Sequence, residues 1–149
     1  MILESIQFLV NELRNPENQI ASMVDNQIFS GLSRTTNDLI SPHFTKIGLE
    51  YTSDNSDGYF FTEFRDFDCK NISVKIIVSS AYGENDNYCQ EVINNIVILF
   101  SNHRKKITDD YRIFIDKIQT GVIEENNEQW TGTINMNIRQ FAPIPENIT

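Results

Sequence analysis

The sequence predicts an α+β fold: a mostly antiparallel β-sheet with an N-terminal helix and one long helix, at about residues 87–107, packed on one face. Apolar residues recur at helical spacing in two separate stretches, and in several others they alternate with polar ones as strand residues do. The order of these stretches is the third observation. It runs helix, several strands, long helix, two strands, and so lacks the regular strand–helix alternation of a doubly wound chain.

Ile2, Leu3, Ile6, Leu9, Val10 and Leu13 form the first apolar stripe, and Asn15-Pro16 stops it. A short turn through Ile20, Met23 and Val24 is interrupted by Asp25-Asn26 and Gly31. Ile47, Leu49 and Tyr51 alternate with polar or small neighbours as a half-buried strand, and Ser53-Asp54-Asn55-Ser56-Asp57-Gly58 reads as a turn at which the chain reverses or crosses. The aromatic-rich run from Tyr59 to Phe67 and the run from Ile72 to Ser79 then predict two neighbouring antiparallel strands. Asp86 or Asn87 caps the long helix, whose stripe is Tyr88, Val92, Ile96, Leu99, Phe100 and His103, and Arg104-Lys105-Lys106 closes its negative end. Tyr111, Ile113 and Ile115 open a strand reaching about Thr120, and Gly121 permits a bend. After a solvated, hairpin-like connection at Glu124-Glu125-Asn126-Asn127-Glu128, the last strand sets Trp130, Gly132, Ile134, Met136 and Ile138 against Thr131, Thr133, Asn135, Asn137 and Arg139. Pro143 and Pro145 suit neither element, which predicts one domain over residues 1–141 and a tail over 142–149.

The 149 residues suit one core, and 40% hydrophobic with 22% charged residues excludes wholesale disorder. Twelve Lys and Arg against 21 Asp and Glu give a formal charge of -9, which disfavours duplex nucleic acid as a primary partner. The longest apolar run, Ile96 to Phe100, is far short of a membrane span, and the start lacks the pattern of a secretory signal, so the expected place of synthesis and assembly is the cytoplasm. Cys69 and Cys89 make neither a disulfide framework nor a zinc quartet and read as two buried, reduced thiols.

Candidate chemistry is sparse. Neither His43, beside Pro42, nor His103, at the basic helix end, accompanies a nucleophile motif. The Asp54 to Gly58 segment misses the alternation of a calcium loop, and Glu84 and Asp86 read as helix-start charges. The six glycines form no phosphate cradle. The residues thus point to no catalytic, cofactor or metal site. The aromatic run is different. Tyr59 and Phe61 fall on the strand face opposite Phe60 and Phe64, so both faces begin apolar, and either another part of this chain or a subunit contact covers the second.

The segment Ser41-Pro42-His43-Phe44-Thr45-Lys46-Ile47-Gly48-Leu49-Glu50, the strand Asn71-Ile72-Ser73-Val74-Lys75-Ile76-Ile77-Val78-Ser79, the long helix and the opening Gln129-Trp130-Thr131-Gly132-Thr133-Ile134 resemble, in order and pattern, the tail terminator (tail completion, minor capsid) proteins of tailed bacteriophages. The resemblance spans Met1 to about Phe141. It implies a structural, non-enzymatic virion protein without cofactor: a homo-hexameric ring that caps the tail tube protein, stops its polymerisation and presents a docking surface to the head-completion or connector protein. In such a ring Tyr59, Phe60, Phe61 and Phe64 are candidates for the subunit interface. Glu124, Glu125 and Glu128 are candidates for lining a channel through which DNA passes without sticking, with no membrane involved. Other readings of the residues are another head-to-tail connector ring, a small-molecule-binding domain with the aromatic strand lining its pocket, and an acidic protein that sequesters a basic partner.

Overall fold

The computed structural model describes residues 2–24, 28–30, 45–61, 66–81, 87–126 and 129–143. Its frame is two long antiparallel pairs laid side by side. β2 (Lys46–Phe61) pairs with β3 (Asp66–Ala81), and β7 (Gln129–Pro143) pairs with β5 (Arg112–Thr120) and with the short β6 (Glu124–Asn126). β3 and β7 join the two pairs along their whole length, from Phe67 opposite Pro143 to Ala81 opposite Gln129. With β1 (Ile28–Ser30) and β4 (Lys105–Ile107) the sheet order is β1-β2-β3-β7-β5-β4, with β6 beside β7. Among the described residues only the β1–β2 contact is parallel. Together with helices α1 (Ile2–Arg14), α2 (Ile20–Met23) and α3 (Asn87–Asn102), this is the α+β, mostly antiparallel architecture expected from the sequence.

Register explains the core. Strand side chains alternate between faces, so aligned apolar residues on neighbouring strands make continuous rows. Leu49, Ile76 and Ile134 form one such row and Ile72, Ile138 and Ile115 another, all of them buried. Ile6, Leu9, Val10 and Leu13 of α1 close over this face together with Cys89, Val92, Ile93, Ile96 and Phe100 of α3. α1 is held by a buried polar contact: the Ser5 hydroxyl donates to Gln140 Oε1 at 2.5 Å, and Gln140 Nε2 donates to Glu4 Oε2 at 3.3 Å. Arg14 Nη2 donates to the Ile28 carbonyl at 2.7 Å and so fixes β1 beside the helix end. Cys69 and Cys89 are both buried, and the Cys89 thiol points at the Val78 carbonyl, 3.6 Å away.

Several expectations change, among them the single strand expected from Tyr59 to Phe67, whose two ends fall in β2 and β3 and pair with each other, Phe60 opposite Phe67. The Ser53 to Gly58 segment is not a reversal but the middle of β2, paired with Ser73 through Cys69. Register shifts between Tyr51 and Ser53 and between Ser56 and Gly58 absorb its turn-forming residues as irregularities in a continuous strand. Asp68 to Asn71, expected between strands, likewise belongs to β3. The long helix ends at Asn102 rather than near residue 107. His103 still donates its N–H to the Leu99 carbonyl, but the Arg104 carbonyl accepts from Ile115 N–H at 2.8 Å, which commits the basic cluster to the sheet. Thr108 makes this possible: its Oγ1 accepts the N–H groups of Asp110 and Tyr111 at 3.2 and 3.1 Å and closes the turn between β4 and β5. Tyr88 lies outside the buried stripe of α3; it is 42% exposed, and its hydroxyl donates to the Met23 carbonyl. β1 itself, the three residues before Gly31, was not expected.

Candidate functional site

Helices cover one face of the sheet, so the functional surfaces to consider are the opposite face, the two ends of the strands and the two outer edges. On the face away from α1 and α3, β7 presents Asn135, Asn137 and Arg139, and β5 presents Phe114 and Lys117. Asn135, Asn137 and Lys117 are exposed, whereas at the sheet centre Ile77 is buried between Gly48 and Thr133. This face is polar at β5 and β7 and closes toward β3.

It carries a charged aromatic cluster. Arg139 Nε and Nη2 donate to the two carboxylate oxygens of Asp116 at 2.6 and 2.9 Å. The guanidinium carbon also lies 5.6 Å from the Phe114 ring centre and 5.7 Å from that of Phe141, and the two rings meet edge to face at 5.9 Å. Asp116 is the extra residue at the register shift between Ile115 and Lys117, and this shift lets its carboxylate meet Arg139 across the strand pair. Both ionic side chains are about two-fifths exposed, so the ion pair alone contributes roughly 0.5 kcal/mol. A lysine cannot make the bidentate contact and stack on two rings at once. Arg139→Lys is therefore expected to cost more, about 1 kcal/mol, than Asp116→Asn. Urea denaturation at low and high salt checks this: salt should erase the Asp116→Asn loss and leave most of the Arg139→Lys loss.

The residues singled out in the sequence fall at opposite ends of the sheet. Tyr59, Phe60 and Phe61 lie at the end of β2, in register with Asp68, Phe67 and Asp66, and Phe67 in turn is opposite Pro143. Phe64 lies outside the described residues. Glu124 and Glu125 are exposed in β6, opposite Thr131 and Trp130 at the start of β7, and Glu128 lies outside the described residues. The row of Phe67 and the row of Ser80, opposite Trp130, are about 40 Å apart along β3 at a rise of ~3.3 Å per residue. The described aromatic and acidic positions thus lie toward opposite ends of the sheet. The solvated connection expected at Glu124 to Glu128 contains a short paired strand, with Asn126 opposite Gln129. β7 runs on through Ala142 to Pro143, and the residues after it lie outside the described ones, as do His43, Glu84 and Asp86. His103 is exposed at the end of α3.

Among the described residues no three His, Cys, Asp or Glu side chains converge as a metal site, and no helix is long and apolar enough to cross a membrane. The sequence did not single out the Arg139 cluster, because it depends on a bulge and on the pairing of β5 with β7. The alternation of Phe114 with Ile113 and Ile115 was its one visible signal.

No protein-family model matches the chain, and no curated protein sequence matches it. Among solved structures it is similar to a chain of the virion of native gene transfer agent (GTA) particle, with a TM-score of 0.46 and 6% identity over 91% of this chain and 92% of that one.

Proposed function

We propose that this chain is a structural virion protein of the tail terminator type, which forms a hexameric ring on the end of a tail tube, stops tube growth and presents the surface to which the head docks. The observation that carries this reading is the arrangement of the segments on which the sequence resemblance rests. β2, β3 and β7, which hold Lys46 to Glu50, Asn71 to Ser79 and Gln129 to Ile134, are adjacent strands, and α3 belongs to the core that covers them. Segments scattered through the sequence thus make one contiguous core.

In this reading the partners are further copies of the chain, the tube protein and a head-completion or connector protein, and DNA traverses the ring without specific binding. The aromatic end of β2 and β3 is assigned to a subunit contact. The acids Glu124, Glu125 and Glu128 are assigned to the channel, where like charge keeps DNA phosphates from sticking.

Native mass spectrometry across concentration, with negative-stain imaging, tests the reading. A closed hexamer of 17.3 kDa subunits, about 104 kDa with a central hole, is expected either free or on added tail tubes of its own virion. A monomer at every concentration that also leaves tube ends uncapped would overturn it. A ring that binds only portal-bearing heads would replace the terminator with a connector.

A further inference from the structure

Among the described residues the sheet ends in β4 on one side and, past the short β1, in β2 on the other, and the sequences of these two strands carry opposite charge. One border is β4, where Lys105, Lys106 and Ile107 are all exposed, Ile107 at 55%, directly after the exposed Arg104. The backbone there is half used. Ile115 N–H to the Arg104 carbonyl and Thr108 N–H to the Tyr111 carbonyl mark the hydrogen-bonded pairs. By the alternation of an antiparallel ladder, Lys106 then bonds toward Ile113, and the N–H and C=O groups of Lys105 and Ile107 point to the open side. Asp109 and Asp110 sit in the turn beyond Ile107, off the strand.

The other border is β2. β1 pairs with it only over Ile47 to Leu49. Beyond Leu49, β2 is the outermost strand among the described residues and continues to Phe61. From Glu50 to Phe61 it carries Glu50, Asp54 and Asp57 and no Lys or Arg.

We propose that β4 of one copy adds to the outer edge of β2 of a second copy, so that the sheet continues from subunit to subunit. Strand edges pair readily through their unused backbone groups, and edge lysines are a common defence against pairing of like with like. Here the lysines repel a second β4, and the acids of β2 repel a second β2. Only the unlike edges attract, and pairing them covers Ile107. Since β4 and β2 lie on opposite borders of one sheet, the contact is head to tail, the type that makes a ring when its rotation closes. Ring closure rests on the function proposed above; the edge pairing does not.

The test combines native mass spectrometry and sedimentation, at about 50 and 500 mM salt, on the wild type, K105E/K106E, D54K/D57K and an equimolar mixture of the two variants. Each variant has two edges of one sign and should lose association by about tenfold or more, whereas the mixture offers unlike edges at every contact and should assemble with alternating copies. Circular dichroism checks that each variant folds. If D54K/D57K does not, I107P removes the outward N–H of Ile107 without touching a β4–β5 bond and should block association in the same way. Wild-type rings with variants that assemble equally well would overturn the edge pairing and leave the ring standing. Salt-sensitive open chains that the variants abolish would uphold the pairing and overturn the ring. A wild type that stays monomeric under all conditions would overturn the pairing outright.

Discussion

Replacing Gly132 by valine is expected to cost the fold about 3 kcal/mol, the upper end of the usual range for overpacking a core. Gly132 lies in β7 on the helix-covered face, opposite Val78, whose carbonyl faces the Cys89 thiol of α3. A Cβ at this position would meet Ile93 Cδ1 at 2.3 Å, Ile123 Cγ1 at 3.2 Å and Cys89 Sγ at 3.6 Å. Here α3 packs closely on the sheet, and the absence of a side chain allows it. Alanine imposes the first clash, which Ile93 can relieve only by turning its terminal methyl within a close-packed core. About 1–2 kcal/mol is the expected loss. Ile93→Val deletes the clashing atom, so the combined Gly132→Ala/Ile93→Val variant should lose about 1 kcal/mol less than the two single losses together. Urea midpoints at constant slope measure all four corners of this cycle. Strict additivity would show that α3 does not rest on Gly132.

The second large effect is expected at Phe100. It is fully buried near the end of α3 and, among the described residues, is the largest of the completely inaccessible side chains. Phe100→Ala removes most of that volume, and the sheet beneath, tied by paired strands, cannot collapse into the space. The expected loss is about 3–5 kcal/mol, a large share of the 5–15 kcal/mol that holds a typical domain. Phe100→Leu keeps much of the volume and should cost about 1.5 kcal/mol. Trp130, the sole tryptophan, is partly buried and packs against the core, so its fluorescence reports both unfolding curves. A loss for Phe100→Ala no larger than that of Phe100→Leu would show that the site is not close-packed.

How much of this architecture the sequence reveals depends on whether a signal is local. α1, α3 and β7 are legible because each repeats one period over three or more turns or many alternating residues. Their buried faces agree with that period, save for the exposed Tyr88 and His103. The Ser53 to Gly58 segment misleads because its composition is that of a turn, whereas partners on β3 hold it extended and two register shifts take up the strain. Tertiary pairing overrides local preference there. Arg104-Lys105-Lys106 misleads because cations suit a helix end and an exposed edge strand equally well, and the Thr108 turn decides between them. β1 is three residues long, too short to show a period. For the candidate surfaces, composition marks the aromatic and acidic groups, but only register tells that they lie at opposite ends of β3.

The seam between β3 and β7 also sets how the chain must fold. Each long hairpin can form from neighbouring sequence, β2 with β3 and the β5–β6 segment with β7. The seam instead joins residues such as Ile76 and Ile134 that lie far apart in the chain, with all of α3 between them. Closing so long a loop is entropically slow, and proteins rich in such distant contacts fold slowly for their size. On a ribosome, β7 emerges well after β3, with α3 and β5 made in between. Until it does, β3 offers Ile72, Val74, Ile76 and Val78 beside an open edge for anything nearby to pair with. Yield in cells should therefore depend on how quickly β7 follows, so that slow translation between β3 and β7 would lower the soluble fraction more than an equal delay between β2 and β3.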